Sequence, residues 1–280
     1  MHLGYITNGL ADHDLLGGIE IIAALGYRAV GITLDHHKLN PYDSRLSEQL
    51  EEVRGAVQRH GLLVVVETGA RYLLDPWRKH QPTLVSPTPE ERRWRLDFLK
   101  RAVDIAAKLD AHALSFWSGA LTDRADRATI DRRLVESINN LIEYAAERQV
   151  RLAFEPEPGM AIDTMASFAH LLEALDTARV DHSSVGLTVD VGHLHCMGEV
   201  PIANVLRNWS DRLRNLHIED MRAGVHEHLM FGEGQIDFPP IFDMLRRVNY
   251  KGPVLVELSR HSPTGPDAAR QAMEFLRPLI

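Results

Sequence analysis

Eight short runs rich in apolar and β-branched residues recur along the whole chain: HLGYIT (2 to 7), RAVGIT (28 to 33), LLVVVET (62 to 68), HALSFW (112 to 117), RLAFEP (151 to 156), VGLTVD (185 to 190), LRNLHIE (213 to 219) and PVLVEL (253 to 258). Most are nearly continuous in apolar character, the pattern of parallel strands covered on both faces. Segments with helical spacing lie between them. LLGGIEIIAALG and SRLSEQLEEVRGAVQRHG end in Gly26 and Gly61, which suit the position just past a helix. PEERRWRLDFLKRAVDIAAKLD opens with Pro89, Glu90 and Glu91, matching a first helical turn and its positive dipole end. Further helices are predicted at about 130 to 149, 164 to 176, 200 to 209, 238 to 248 and 266 to 277.

Eight βα units without a composition break or linker predict a single (β/α)8 TIM barrel domain over residues 1 to 280. An open doubly wound sheet more often carries a Gly-rich phosphate loop after its first strand. Here that place reads ITNGLADHD, so no nucleotide cofactor is expected. One connection is long: residues 69 to 88, GARYLLDPWRKHQPTLVSPT, separate the third strand from its helix. Loops beyond about 15 residues inside a compact domain are commonly functional, and the aromatic and basic content predicts an ordered lid. Arg71, Arg78 and Lys79 in it hint at an anionic substituent on the substrate.

Composition narrows the class. The hydrophobic fraction of 45% supports a large core without staples, and Cys196, the one cysteine, excludes an internal disulfide or a Cys-rich zinc cluster. A reducing cytoplasmic setting fits. The formal charge of -8 disfavours nucleic acid, whose binding rests on phosphate neutralisation. The first residues lack a signal-peptide pattern and no run approaches about 18 apolar residues, so a soluble protein without a membrane partner is expected.

In a (β/α)8 barrel the active site lies at the C-terminal ends of the strands, so polar residues closing apolar strands are the first candidates. Five strands supply Glu67, Glu155, Asp190, His217 and Glu257. The last four are separated by 35, 27 and 40 residues, close to successive βα repeats, and would reach one rim from strands five to eight. Three carboxylates and an imidazole converging there would repel and lose hydration unless a cation lay between them. The set suits one divalent ion, Mn2+, Mg2+, Co2+ or Zn2+.

The segments LAFEPEP around Glu155, LTVDVGHLH around Asp190 and His193, LHIED around His217 and VLVELS around Glu257 carry a resemblance that spans all eight units. The chain resembles the xylose isomerase-like TIM barrel superfamily: sugar isomerases and epimerases of the tagatose-epimerase and hydroxypyruvate-isomerase type, related to inosose dehydratases and apurinic endonucleases. The resemblance implies that Glu155, Asp190, His217 and Glu257 bind metal, and that His193 contacts substrate or a further metal. It implies isomerase or epimerase chemistry on a small sugar, polyol-derived ketone or keto acid through an enediolate. Glu155 and Glu257 then act as catalytic acid and base on opposite faces of the reacting carbon. An inosose-type dehydratase would use the same site. Barrels of this family often pair, so a homo-oligomer is an expectation.

The stretch VHEHLMFGEGQIDF adds His226 and His228. With His193 they could hold a second metal ion or contact substrate hydroxyls. In the endonuclease branch an Asp-x-His pair occupies this place, which keeps metal-dependent phosphoester hydrolysis as an alternative. That branch needs histidines at the ends of two early strands, where this chain has Glu67 and Trp117. Trp117 fits a polyol pocket better. Glu67, Trp117 and Arg222 are read as substrate contacts, Glu157 as a solvated or salt-bridged turn residue, His36 and His37 as loop residues, and Asp12 or Asp14 as a helix N-cap.

Overall fold

The computed structural model describes residues 1–280 and forms a closed barrel. Its parallel strands are β1 (His2–Ile6), β2 (Ala29–Thr33), β3 (Leu63–Glu67), β4 (Ala113–Phe116), β5 (Leu152–Phe154), β6 (Val185–Asp190), β7 (Leu213–Ile218) and β10 (Pro253–Val256). They run around the barrel in chain order and β10 closes onto β1, so every predicted strand is present. The outer helices include α1 (Leu15–Ala24), α2 (Leu46–His60), α3 (Pro89–Lys108), α4 (Arg127–Glu147), α5 (Met165–Thr177), α7 (Ile202–Asn208), α8 (Pro239–Arg247) and α9 (Gly265–Leu276). No helix is long and apolar enough to cross a membrane.

Local chemistry sets the helix boundaries. Asp14 caps α1 by accepting from the Gly17 amide at 2.8 Å, and Thr88 caps α3 immediately before Pro89. Gly61 closes α2 at φ 60°, a left-handed conformation that costs glycine little.

Two elements escaped the sequence pattern. A short helix, α6 (Val191–Cys196), starts directly at the end of β6, and an antiparallel ribbon, β8 (Asp220–Arg222) with β9 (Val225–Leu229), rises after β7. The ribbon carries His226 and His228 on its second strand. Its residues are half-buried or exposed, so VHEHL lacks the apolar run by which the barrel strands are recognised.

Most of the core fills the layer between barrel and helices. A smaller cluster of Ile6, Ala29, Val65 and Leu255 closes the barrel interior. Above it the inward positions turn polar. Because inward side chains recur every second residue, the pair Asn215, His217 on β7 repeats as Thr188, Asp190 on β6, and again as Leu255, Glu257 and Ala153, Glu155, whose glutamates fall one residue past the ends of β10 and β5. The strand period thus lifts the functional groups one layer above a packed floor.

Candidate functional site

At the C-terminal mouth of the barrel lies a cavity of about 620 Å³, lined mainly by polar residues. Glu155, Asp190, His217 and Glu257 bring one ligand atom each to within 4.8 Å of one another. His217 sits at the centre. Its Nδ1 is 3.1 Å from Glu155 Oε1, 3.1 Å from Glu257 Oε2 and 4.0 Å from Asp190 Oδ2. Its Nε2 lies 3.0 Å from Glu67 Oε1. A carboxylate behind Nε2 favours hydrogen there, so that in the neutral ring the Nδ1 lone pair faces the three acidic partners.

The support beneath is continuous. Asn215 Nδ2 donates to Glu67 Oε1 at 3.2 Å, and the Ser115 and Thr188 hydroxyls are 2.8 Å apart. On the opposite wall Asn8 Nδ2 donates to Glu257 Oε1 at 2.9 Å. Asp190 Oδ1 accepts from the His193 amide at 2.9 Å and so caps α6, while Oδ2 is buried without a hydrogen-bond partner. An orphaned buried carboxylate oxygen beside two other carboxylates is what a cation would satisfy. The donor set therefore fits a divalent metal.

Electrostatics agree with that fit. Burial pushes Glu155 up to about 7 against the attraction of His217. Burial alone would lower His217, but Glu67 and Glu155 override it and hold the imidazole well above the usual histidine range. Burial would raise Glu257 too; the His217 hydrogen bond and the charge of His228 instead hold it well below the carboxylate range. Glu157 is pushed up to about 8 by burial, reinforced by Glu155 and Glu257.

A stability prediction follows for protein stripped of metal. Glu155 and Glu157 keep protons that unfolded carboxyls lose near 4.5, and His217 keeps one above the unfolded 6.5. His228, which burial alone would lower, is raised to about 10 by Glu219 and Glu257. Between pH 6.5 and about 8 the folded state binds more protons than the unfolded one, so stability falls as pH rises. Urea denaturation at the two pH values should give a lower midpoint at pH 8 after chelation, and Mn2+ should diminish the difference.

A second group adjoins the first. His193 Nε2 and His226 Nε2 are 3.0 Å apart, and with His228 they form a three-imidazole set. Asp190, Glu219 and His228 form another, in which both Glu219 carboxylate oxygens are buried without a hydrogen bond and Oε1 lies 3.7 Å from His228 Nδ1. Gly192 explains how α6 fits here, since a Cβ at that position would collide with the Glu219 carboxylate.

The remaining candidates divide. Glu67 and Trp117 both line the cavity, although Glu67 is committed to His217 through Oε1. Arg222 is not brought there. It is exposed and donates to the Glu233 carbonyl at 3.2 Å, because the ribbon turns its side chain outward. Nearby Asp220 holds backbone amides of Met221, Gly232 and Ile236, a structural use. His36 and His37 are exposed loop residues outside the cavity lining. Glu157 departs from its reading as a solvated turn residue: it lines the cavity, with no salt-bridge partner. Its signal was the period of two, which continues from Ala153 and Glu155 past the end of β5. Asn8 was missed as well, although it lies just beyond β1 at the same rim.

The long loop from 69 to 88 has no helix or strand. Residues 81 to 86 are buried, and Arg133 donates to the Val85 carbonyl at 2.9 Å. Arg71, Tyr72, Lys79 and His80 of this loop form one wall of the cavity.

Fold and site together define a barrel enzyme with an acidic, imidazole-bearing centre at its mouth. The chain belongs to the xylose isomerase-like TIM barrel family, whose model matches residues 19–279. An inosose dehydratase from Clostridium beijerinckii is 31% identical over 141 residues, 44% of this chain and 45% of that protein. The match thus spans about half the length of that relative. An L-ribulose-5-phosphate 3-epimerase from Shigella flexneri is 26% identical over 261 residues, covering 91% of this chain and 85% of the other. Among solved structures, the 3-keto-D-glucoside 4-epimerase from E. coli superposes with a TM-score of 0.79 at 20% identity, covering 99% of each chain. A D-allulose 3-epimerase from Methylomonas sp. gives 0.78 at 18% identity, covering 100% of this chain and 98% of that one. These superpositions establish the common fold.

Proposed function

We propose that this enzyme is a divalent-metal-dependent isomerase or epimerase of a small sugar, polyol-derived ketone or keto acid. The observation that carries the reading is the convergence of Glu155, Asp190, His217 and Glu257 within 4.8 Å at the cavity floor. These four residues would hold Mn2+, Mg2+, Co2+ or Zn2+. When bound, such an ion supplies electrophilic polarisation of a carbonyl and its neighbouring hydroxyl, which acidifies the C–H between them.

The residues themselves supply the proton traffic. Glu155 and Glu257 both reach the centre, each 3.1 Å from His217 Nδ1, but enter from different strands. One carboxylate removes the proton next to the carbonyl, giving an enediolate, and the other returns a proton to the opposite face or to the adjacent carbon. Glu67 keeps His217 in one tautomer. Asn8 holds the Glu257 carboxylate in place, and Trp117, covered by Arg95 and His80, closes one side of the cavity. His193, His226 and His228 bind substrate hydroxyls or a second cation.

The likeness to inosose dehydratases favours a second reading, in which the same enediolate expels a β-hydroxyl. The test is to incubate Mn2+-reconstituted enzyme in D2O with D-allulose, L-ribulose or an inosose and follow each by proton NMR. Deuterium at the carbon next to the carbonyl, with an epimer or isomer appearing, is the expected result. Loss of water from the inosose with no ketose exchange would select the dehydratase. Cleavage of an abasic oligonucleotide without exchange into any of the three would overturn both readings in favour of phosphoester hydrolysis.

A further inference from the structure

The cavity has two unlike sides. Carboxylates occupy its floor, while the wall opposite comes from the loop at residues 69 to 80, whose chemistry is basic. That loop is tied at its neck. The His80 amide donates to the Arg71 carbonyl at 2.6 Å, and the His80 ring donates through Nδ1 to the Gly69 carbonyl at 2.7 Å. Ala70 and His80 hold left-handed backbones at φ 53° and 66° although neither is glycine, a conformation that the surroundings must impose. With Nδ1 occupied, His80 offers Nε2 to the cavity as an acceptor.

The charges on this wall are less closely partnered than Arg260 elsewhere at the rim. Arg260 is matched by Glu227 at 3.0 Å. Lys79 lines the cavity without an ion-pair partner, and Arg71 approaches its one carboxylate, Asp35, no closer than 3.8 Å. Behind them Arg95 is fully buried and pairs with no carboxylate. It stacks on Trp117 at 4.2 Å and donates to the Thr68 carbonyl at 2.9 Å. Trp117 in turn meets the edge of His80, with ring centroids 5.5 Å apart. A fixed positive charge therefore backs the wall that presents Arg71 and Lys79. For a neutral sugar such a wall gives no return on burying Arg95, whereas an anionic ligand would gain charge-assisted hydrogen bonds there.

We propose that the loop from Gly69 to His80 is the specificity element of this enzyme and that it reads a terminal anionic group, phosphate or carboxylate, on the substrate. Arg71 and Lys79 hold that group, and His80 Nε2 accepts from a neighbouring hydroxyl. The carbonyl end then faces the acidic floor. The substrate class is a short ketose or polyol ketone with one terminal phosphate or carboxylate; this rests on the carbonyl chemistry proposed for the floor.

The experiment compares L-ribulose, L-ribulose 5-phosphate and D-fructuronate as substrates of the Mn2+-reconstituted enzyme, with proton exchange as the readout. The wild type is expected to prefer an anionic ketose over the neutral one by at least tenfold in kcat/KM; whichever of phosphate and carboxylate is preferred identifies the group. In the R71A/K79A variant that preference should collapse at least tenfold, mainly through KM, and R71K/K79R should restore most of it. Equal use of the neutral and anionic ketoses by wild type and variant overturns the proposal while leaving the carbonyl chemistry intact. If no ketose exchanges, calorimetric titration with inorganic phosphate decides the anion site separately: binding weakened at least tenfold by R71A/K79A supports it, and equal binding or none overturns it.

Discussion

Glu257→Gln is expected to lower the rate of proton exchange next to the substrate carbonyl by about three orders of magnitude, within the range found for removing a general acid or base. The amide keeps the shape of the carboxyl and an oxygen that can still accept from Asn8 Nδ2, which now donates to Glu257 Oε1 at 2.9 Å. The fold should therefore persist, but the change removes a charge that the His217 hydrogen bond and His228 favour in the folded state, so metal-free protein should melt modestly lower. Exchange measured by NMR and thermal melts on the same preparation separate the two effects. Activity within tenfold of wild type would remove Glu257 from the proton path.

Asp190→Asn carries the second large effect, on metal rather than chemistry. Asp190 has two separable duties: Oδ1 caps α6 through the His193 amide, and Oδ2 is the orphaned oxygen facing His217. Asparagine is as good a helix cap as aspartate but a far weaker ligand to a hard cation. Mn2+ affinity should fall at least a hundredfold, with little change in the urea midpoint of the stripped protein. An alanine at the same position would additionally lose the cap, worth about 1 kcal/mol. Unchanged Mn2+ affinity in Asp190→Asn would show that Asp190 serves only the helix.

How much of this was legible in the sequence follows from the physics of each element. Parallel strands buried on both faces must be apolar along their length, so all eight barrel strands announced themselves. Glu155, Asp190, His217 and Glu257 stood out because each interrupts an apolar run where the run ends. Glu157 did not, because the PEPG segment reads as a turn and only the inward period of two, carried beyond the strand, connects it to the cavity. The β8 and β9 ribbon was invisible for another reason: β8 is three residues long and the side chains of β9 are half in water, so no apolar run marks it. His226 and His228 were nonetheless noticed, by spacing alone. Asn8 was hidden by its distance in sequence from Glu257, the residue it holds. Arg222 follows His217 closely in sequence, but the ribbon turns its side chain away from the cavity, which sequence proximity does not reveal. The wall at His80 depends on backbone conformation and on Arg95 from a neighbouring helix, which no local pattern encodes.

The central claim is that four residues on consecutive barrel strands form one metal centre. Anomalous diffraction from crystals of Mn2+-reconstituted protein, collected on both sides of the manganese absorption edge, tests it most directly. A strong peak is expected within ligand distance of His217 Nδ1 and of carboxylate oxygens from Glu155, Asp190 and Glu257. A peak found only among His193, His226 and His228, or no peak at His217 with manganese demonstrably in the crystal, would contradict it.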